Sequence, residues 1–229
     1  MIGLISDIHG NYSALSTVLS ALEGMGVEEI ICLGDVAGYY SQINECCDAL
    51  RERDIPVLQG NHDFYLTRNV PCPRSNSANR CLDYQRQVIR DDNMAWLATK
   101  QPSDFWHGIS VVHGGWNDPL DEYLVPDALY FAPLDGRVFA SGHTHVQLAW
   151  NGEGKTYCNP GSVGQPRDGN PAAAFATWDG EGFNLHRIAY DIDNVHQAMA
   201  RAGFTRYFSE NLELGAMIGG KVLSVQTGQ

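Results

Sequence analysis

The segment Ile2-Gly3-Leu4-Ile5-Ser6-Asp7-Ile8-His9-Gly10-Asn11 runs an apolar stretch straight into a cluster of hard, polar side chains, and that pairing recurs along the chain. Gly34-Asp35, Gly60-Asn61-His62-Asp63, His113-Gly114-Gly115 and Gly142-His143-Thr144-His145 each follow a run that reads as a β-strand. In an open α/β sheet, ligands bind beyond the carboxyl ends of the strands. Five clusters in that position predict a single crevice. Its side chains are carboxylate, imidazole and amide oxygen, with no thiolate, which are hard-to-borderline metal ligands. A lone Asp-x-His or Gly-Asp after a strand is usually a turn; five in register make a site.

Outward from the first cluster, strand and helix alternate. Residues 2–6 read as a buried strand and 12–25 as a helix, with Leu15, Val18, Leu19 and Leu22 on one face and Gly24 and Gly26 closing it. Residues 29–33 are the next strand, 41–53 the next helix, and 55–58 the third strand, with Pro56 near its start. A βαβαβ unit of this kind predicts a parallel sheet with right-handed crossovers. Between Phe64 and Lys100 the pattern changes to a Pro-containing loop and two helical stretches, 78–90 and 92–99. These read as a small helical cap, inserted at about 68–100 into one domain that spans 1–229. Strands dominate from Asp104 onward. His107-Gly108 turns into 109–112, residues 138–141 precede the last cluster, and 151–154 and 179–182 read as hairpin turns. The last expected helix is 191–202.

Composition narrows the function classes. A chain of 229 residues with 44% hydrophobic content can bury a substantial core. Met1 opens directly onto the first strand, so no signal peptide is expected, and no apolar run is long enough to span a membrane. The six cysteines lack Cys-x-x-Cys pairing, and Cys46 and Cys47 sit at helical spacing with Ile43 and Leu50, as core-face residues do. Reduced cysteines without an export signal predict a cytoplasmic protein. The net charge of -12 and the lack of a basic stripe argue against a nucleic acid as main partner, and nothing suggests a membrane partner.

At these motifs the chain closely resembles the calcineurin-like metallophosphoesterase superfamily, nearest its small prokaryotic branch related to phosphodiesterases and diadenosine polyphosphate hydrolases. The resemblance runs from Asp7 to about Asp168 and includes Asn159-Pro160-Gly161-Ser162-Val163. It implies an α/β fold of two packed mixed β-sheets flanked by helices. It also implies two divalent metal ions, manganese first, with iron, zinc or nickel suited by the same ligands. By resemblance, Asp7, His9 and His145 hold one ion, Asn61, His113 and His143 hold the other, and Asp35 bridges them. A bridging carboxylate keeps two ions about 3.5–4 Å apart, so that both polarise one phosphoryl group and share one hydroxide for in-line attack. Two such ions outweigh the charges of Asp7 and Asp35, which lets an acidic protein hold a phosphate. The resemblance makes His62 the residue that assists the leaving oxygen, a role suited to an imidazole titrating near neutrality. His107, His186 and His196 lie outside the clusters and read as surface or turn residues.

One departure bears on substrate. In the protein-phosphatase branch the second motif continues to an Asp three positions on, which orients the catalytic His, and then to an Arg that grips phosphate. Here those positions are Gly38 and Tyr39. The expectation is therefore a small phosphorylated substrate, a phosphodiester or nucleotide polyphosphate whose leaving group needs little protonation. A serine/threonine protein phosphatase or other phosphomonoesterase is the second reading, and a non-catalytic scaffold on the same fold the third; the complete ligand set and His62 speak against the scaffold. Candidate substrate contacts are Arg167, in Gln165-Pro166-Arg167-Asp168-Gly169, and Asn79, Arg80 and Arg74 in or beside the cap. Tyr39 and Tyr40 read as partly buried packing. The oligomeric state is not legible in the sequence.

Overall fold

Strand β1 (Ile2–Ile5) turns Leu4 to one face and Ile5 to the other, as the two-residue period of a strand requires. A computed structural model describes residues 1–225. Helix α1 (Tyr12–Gly24) covers the Ile5 face with Leu15, Val18 and Leu22, and Asn11 caps it by accepting from the Ala14 N–H at 3.1 Å. Strand β2 (Glu29–Cys32) pairs parallel to β1, and helix α2 (Ile43–Arg51) follows with Ile43, Cys46, Cys47 and Leu50 buried.

The expected third strand is not a ladder. A single parallel bridge joins Val57 to Cys32, flanked by Cys32 N–H to Pro56 O and Leu58 N–H to Cys32 O, both at 2.9 Å. Pro56 has no N–H with which to extend the pairing. The chain then enters helix α3 (Asn61–Thr67) directly, so the third cluster opens a helix. Helices α4 (Asn76–Val88) and α5 (Asp91–Ala98) occupy the segment expected as a cap. Ala78, Cys81, Leu82 and Leu97 belong to the same core as α1, and Gln85 accepts from Gly38 N–H at 2.9 Å while donating to Tyr40 O at 2.7 Å. These helices pack into the helical layer, and it is the loop before them, with Cys72, Arg74 and Ser75, that reaches the cleft described below.

The second half builds the other sheet from β3 (Ser103–Trp106), β4 (Ile109–Val112), β5 (Val138–Ser141), β6 (Leu148–Gly152) and β7 (Lys155–Asn159), with the short helix α6 (Ala128–Phe131) between β4 and β5. Its order among the described residues is β3-β4-β5-β7-β6. Strands β8 (Ala173–Trp178) and β9 (Phe183–Ile188) return to complete the first sheet as β2-β1-β8-β9, and helix α7 (Ile192–Arg201) follows. Both sheets are mixed: β1 runs parallel to β2 and antiparallel to β8, while β5 runs parallel to β4 and β7. Leu4, Ile31 and Leu33 meet Ile109, Val111, Ala140 and Cys158 between the sheets. Alternating with the small Ala140 and Cys158, Phe139 and Tyr157 point outward to pack with Phe131 and Trp150. Among the described residues no helix is long and apolar enough to cross a membrane.

Two histidines expected at the surface have structural partners. His186 stacks on Phe175 and lies 2.9 Å from Thr177 Oγ1. His196 is buried; its Nδ1 is 2.7 Å from Ser209 Oγ and its Nε2 3.3 Å from Glu213 Oε1. It thereby ties α7 to the 3₁₀ turns Arg206–Phe208 and Glu210–Leu214. The helix expected at 191–202 contains residue 196, but the expectation that His196 lies at the surface fails, because the partner that buries it sits beyond the helix. Ser209→Ala strips a buried imidazole of that partner and should cost about 1–3 kcal/mol. The check is a lower denaturant midpoint at unchanged slope; an unaltered midpoint would show that the pair contributes nothing.

Candidate metal centre

The carboxyl ends of β1 and β2 from one sheet, and of β4 and β5 from the other, open onto the same place. Asp7, Asp35, His113 and His143 each follow one of these strands closely. The loops carrying them are conformationally costly. Asp7, His9, Asp35, His143 and His145 have φ of 54, 55, 55, 64 and 59°. Left-handed backbone costs a non-glycine residue of order 1–3 kcal/mol. Hydrogen bonds between the loops hold it: Asp7 N–H to Gly34 O at 3.0 Å, His9 N–H to Asp35 O at 2.9 Å, Gly142 N–H to His113 O at 2.9 Å and Gly164 N–H to Asp7 O at 3.0 Å.

The side chains gather as two groups, Asp7 with His9 and His145, and Asp35 with His113 and His143, the candidate ligand atoms of each lying within 4.8 Å of one another. Asn61 joins the second group through Oδ1, 3.1 Å from His113 Nε2 and 3.0 Å from His143 Nδ1. In each carboxylate one oxygen is satisfied and one is not. Asp7 Oδ2 accepts from Ser6 Oγ at 2.6 Å and His143 N–H at 3.0 Å, and Asp35 Oδ1 accepts from His62 N–H at 2.8 Å. Asp7 Oδ1, Asp35 Oδ2 and His143 Nε2 are buried without a hydrogen-bond partner among the described residues. Asp35 Oδ2 lies between the groups, 3.7 Å from His9 Nε2 and 3.6 Å from His113 Nε2.

The imidazoles make the same point through their tautomers. Nδ1 of His9, His113 and His145 faces the carbonyl oxygens of Ala37, Leu33 and Gln165 at 2.7, 2.8 and 2.6 Å. A carbonyl only accepts, so Nδ1 carries the proton and a neutral ring presents a lone pair at Nε2. Burial, then the neighbouring His145, push His9 well below the ordinary histidine range, and burial does the same to His143 and, with Arg167, lowers His145. His9 Nε2 and His145 Nε2 nevertheless face each other at 3.0 Å. Two lone pairs at that distance repel, and unpaired buried carboxylate oxygens are costly. A cation in each group removes both conflicts, so the donor set fits divalent metal.

Around the centre, residues of the sequence clusters that are not candidate ligands act as braces. Asp63 accepts through Oδ2 from Asp35 N–H at 2.9 Å and through Oδ1 from Ala37 N–H at 2.8 Å. Asn159 donates to Gly142 O at 2.6 Å and Thr144 Oγ1 at 3.0 Å, and Ser162 Oγ donates to Asp7 O at 2.7 Å. The Asn-Pro-Gly-Ser turn thus links the loop after β1 to the loop after β5.

His62 lines the cleft over the two groups, with ring centroids 4.9 Å from Tyr39 and 5.0 Å from His9. Its Nδ1 has no partner among the described residues, and burial, followed by the Arg167 charge, holds it well below the usual histidine range. Arg167 also lines the cleft; it is 3% exposed, donates to Gln165 Oε1 and to Tyr39 OH at 3.1 Å, and forms no ion pair among the described residues. Arg74 reaches the same cleft, paired with Asp121. Asn79 and Arg80 are not brought there. The Asn79 amide is spent on Cys72 N–H and Cys72 O, and Arg80 lies over the Phe208 ring at 5.4 Å beside a separate surface hollow. Cleft residues that the sequence reading did not single out are Cys72, Ser75, Tyr123 and Met217. No local motif marks them, because loops and a C-terminal segment deliver them from afar.

The family model of the calcineurin-like phosphoesterase superfamily domain matches residues 1–181. An uncharacterized protein of Methanocaldococcus jannaschii is 30% identical over 238 residues, which cover 94% of this chain and 98% of the relative. Among solved structures, a metallophosphoesterase from Sphaerobacter thermophilus aligns with a TM-score of 0.82 and 28% identity, over 93% of this chain and 98% of its own. A hypothetical protein from Pyrococcus horikoshii OT3 aligns with a TM-score of 0.86 and 17% identity, over 94% and 99% of the two chains, a likeness of fold.

Gly38 explains why the orienting Asp of the protein phosphatases has no counterpart here. Its φ is +145°, and a Cβ at this position would fall inside contact distance of the His9 ring. Gly38→Asp, which restores the residue of that branch, should therefore lower metal content instead of conferring phosphoserine activity. Metal per chain after dialysis, in protein whose melting temperature is unchanged, checks this; full metal content would show that the loop yields easily.

Proposed function

The chain belongs to the calcineurin-like phosphoesterase superfamily and is a metal-dependent phosphoesterase; from that premise we propose that it hydrolyses small phosphodiesters or nucleotide polyphosphates at a dinuclear centre. The observation that carries the dinuclear reading is Asp35 Oδ2, unpaired and nearly equidistant from His9 Nε2 and His113 Nε2. In this reading Asp7, His9 and His145 hold one divalent ion, Asn61, His113 and His143 hold the other, and Asp35 bridges them. Manganese heads the candidate metals, with iron, zinc and nickel compatible with the same donors. Ions so held neutralise phosphoryl charge and lower the pKa of a coordinated water.

The chain's own residues then divide the remaining work. Arg167, a buried cation without a carboxylate partner among the described residues, binds a non-bridging phosphoryl oxygen, and Gln165 and Tyr39 keep its guanidinium in place. His62, whose charged form burial and the Arg167 guanidinium disfavour, stabilises the charge on the leaving oxygen through a ring N–H. Because nothing among the described residues accepts from or donates to His62 Nδ1, the ring is held by packing against Tyr39, His9 and Tyr65. A neutral ring without an orienting partner suits leaving groups that depart with little protonation, such as nucleotide phosphates and aryl oxides. A serine alkoxide is the opposite case, and that favours the diester or polyphosphate reading over a protein phosphatase.

Asp35→Asn should abolish turnover and lower metal content together, since a neutral amide cannot hold two cations side by side; a fully active variant would sink the dinuclear assignment. The substrate reading is tested by kcat/KM in one manganese buffer. Bis-aryl phosphodiesters or dinucleoside polyphosphates should be cleaved faster than phosphoserine peptides, and a preference for the phosphopeptide would overturn it. His62→Ala should reduce turnover by roughly 10²–10⁴-fold with both metals retained, and the loss should shrink as the leaving group improves. Metal lost along with activity would instead make His62 a ligand or a support.

A further inference from the structure

The cleft over the metal-binding groups has a volume of about 120 Å³. Small-molecule sites commonly offer roughly 300–1,000 Å³, so this one accommodates a phosphoryl group and little of what is attached to it. Beside it lies a second hollow of about 610 Å³, and Tyr123 and Met217 line both spaces. The two meet at those side chains.

The second hollow differs in chemistry. Leu124, Val125, Val146, Leu223 and Val225 form its walls. The hydroxyl of Thr144, which also lines it, is engaged by Asn159 Nδ2 at 3.0 Å. Tyr123 is 48% and Val125 49% exposed, a large apolar surface to leave uncovered next to a polar centre. The Tyr123 ring is held in position, its centroid 4.4 Å from that of His143 and 5.7 Å from the Arg74 guanidinium. The opposite wall is anchored too: Met217 N–H donates to Lys221 O at 2.9 Å, and Leu223 N–H donates to Arg167 O at 2.6 Å. That wall lies beyond the 1–181 span of the family match, so the family model covers one side of the hollow and not the other.

We propose that the hollow is a second subsite that takes a flat apolar substituent of the substrate, an aryl or nucleobase ring, while the phosphoryl group occupies the cleft. The identity of the cleft rests on the phosphodiesterase reading above. Tyr123 offers a ring face at the junction, and Met217, flexible and polarizable, adapts to what lies against it. With Leu124, Val125, Val146, Leu223 and Val225 making up much of its lining, and Lys221 and Ser224 the polar remainder, the subsite holds a ring chiefly by buried apolar area.

The test separates the subsite from the reaction. Methyl p-nitrophenyl phosphate and phenyl p-nitrophenyl phosphate share a leaving group and differ in the spectator substituent. On manganese-loaded protein the phenyl diester should have the higher kcat/KM by about 10- to 100-fold, the gain expected from burying a ring. In Val125→Asp and in Leu223→Asp the ratio should fall toward one. Calorimetric Kd values for phenylphosphonate and methylphosphonate, which are not turned over, should show the same preference and the same loss. Protein that cleaves neither diester yet prefers phenylphosphonate would overturn the reaction and keep the subsite. Equal Kd values for the two phosphonates, or a preference that survives both substitutions, would overturn the subsite whatever the turnover.

Discussion

Two imidazole nitrogens, His9 Nε2 and His145 Nε2, face each other at 3.0 Å with their protons committed to backbone carbonyls on the far side of each ring. A protein without ligands does not gain stability from such an arrangement. Nor does it gain from burying Asp7 Oδ1 and Asp35 Oδ2 without a donor among the described residues. The whole strand-end architecture holds these acceptors together against their mutual repulsion, and the energy that offsets it comes from elsewhere: the core between the sheets, the helical layer and the lattice of backbone hydrogen bonds between loops.

That distribution of labour explains why so many polar residues near the centre do not touch it. Asp63 fixes the loop of Asp35 by accepting from two of its amides, and Asn159 and Ser162 tie the loops of β1 and β5, one from each sheet. Left-handed backbone at five of the candidate ligands, Asp7, His9, Asp35, His143 and His145, is tolerable only with this bracing. The same crowding sets a limit on chemistry. With Gly38 pressed against His9 there is no room for a side chain at position 38. A buried cation stands at the cleft from far along the sequence, Arg167 on the loop after the Asn-Pro-Gly-Ser turn, steadied by Gln165 and Tyr39.

The C-terminal segment adds a further layer. Through His196, Asn211 and Leu223 it is fastened to α7, to Tyr40 and to the backbone of Arg167. Met217 reaches the cleft from this segment, so a part of the chain outside the family match stands against the centre. A fold that keeps its metal-binding loops rigid can in this way vary the surroundings of the phosphoryl group by changing what closes over one side.

The α/β class, the parallel β1–β2 pair, the helices and the polar clusters were legible in the sequence, because each depends on local order: a two- or 3.6-residue period, a turn, and a polar cluster directly after an apolar run. The third strand was misjudged, since Pro56 and a short run reduce it to one bridge. The helices expected as a cap instead joined the main core, since their apolar faces find Leu15 and its neighbours in space, not in sequence. His196 turned inward for the same reason, and Asn79 and Arg80 turned away from the cleft. What only the tertiary structure decided was which polar residues meet. Asp35 Oδ2 stands between His9 and His113, Arg167 lies buried beside Tyr39, and Met217 borders the cleft because strands from two sheets and a returning C-terminal segment converge there. Periodicity assigns a side chain to a face of its own element, whereas contact between elements far apart in the chain is set by how those faces pack.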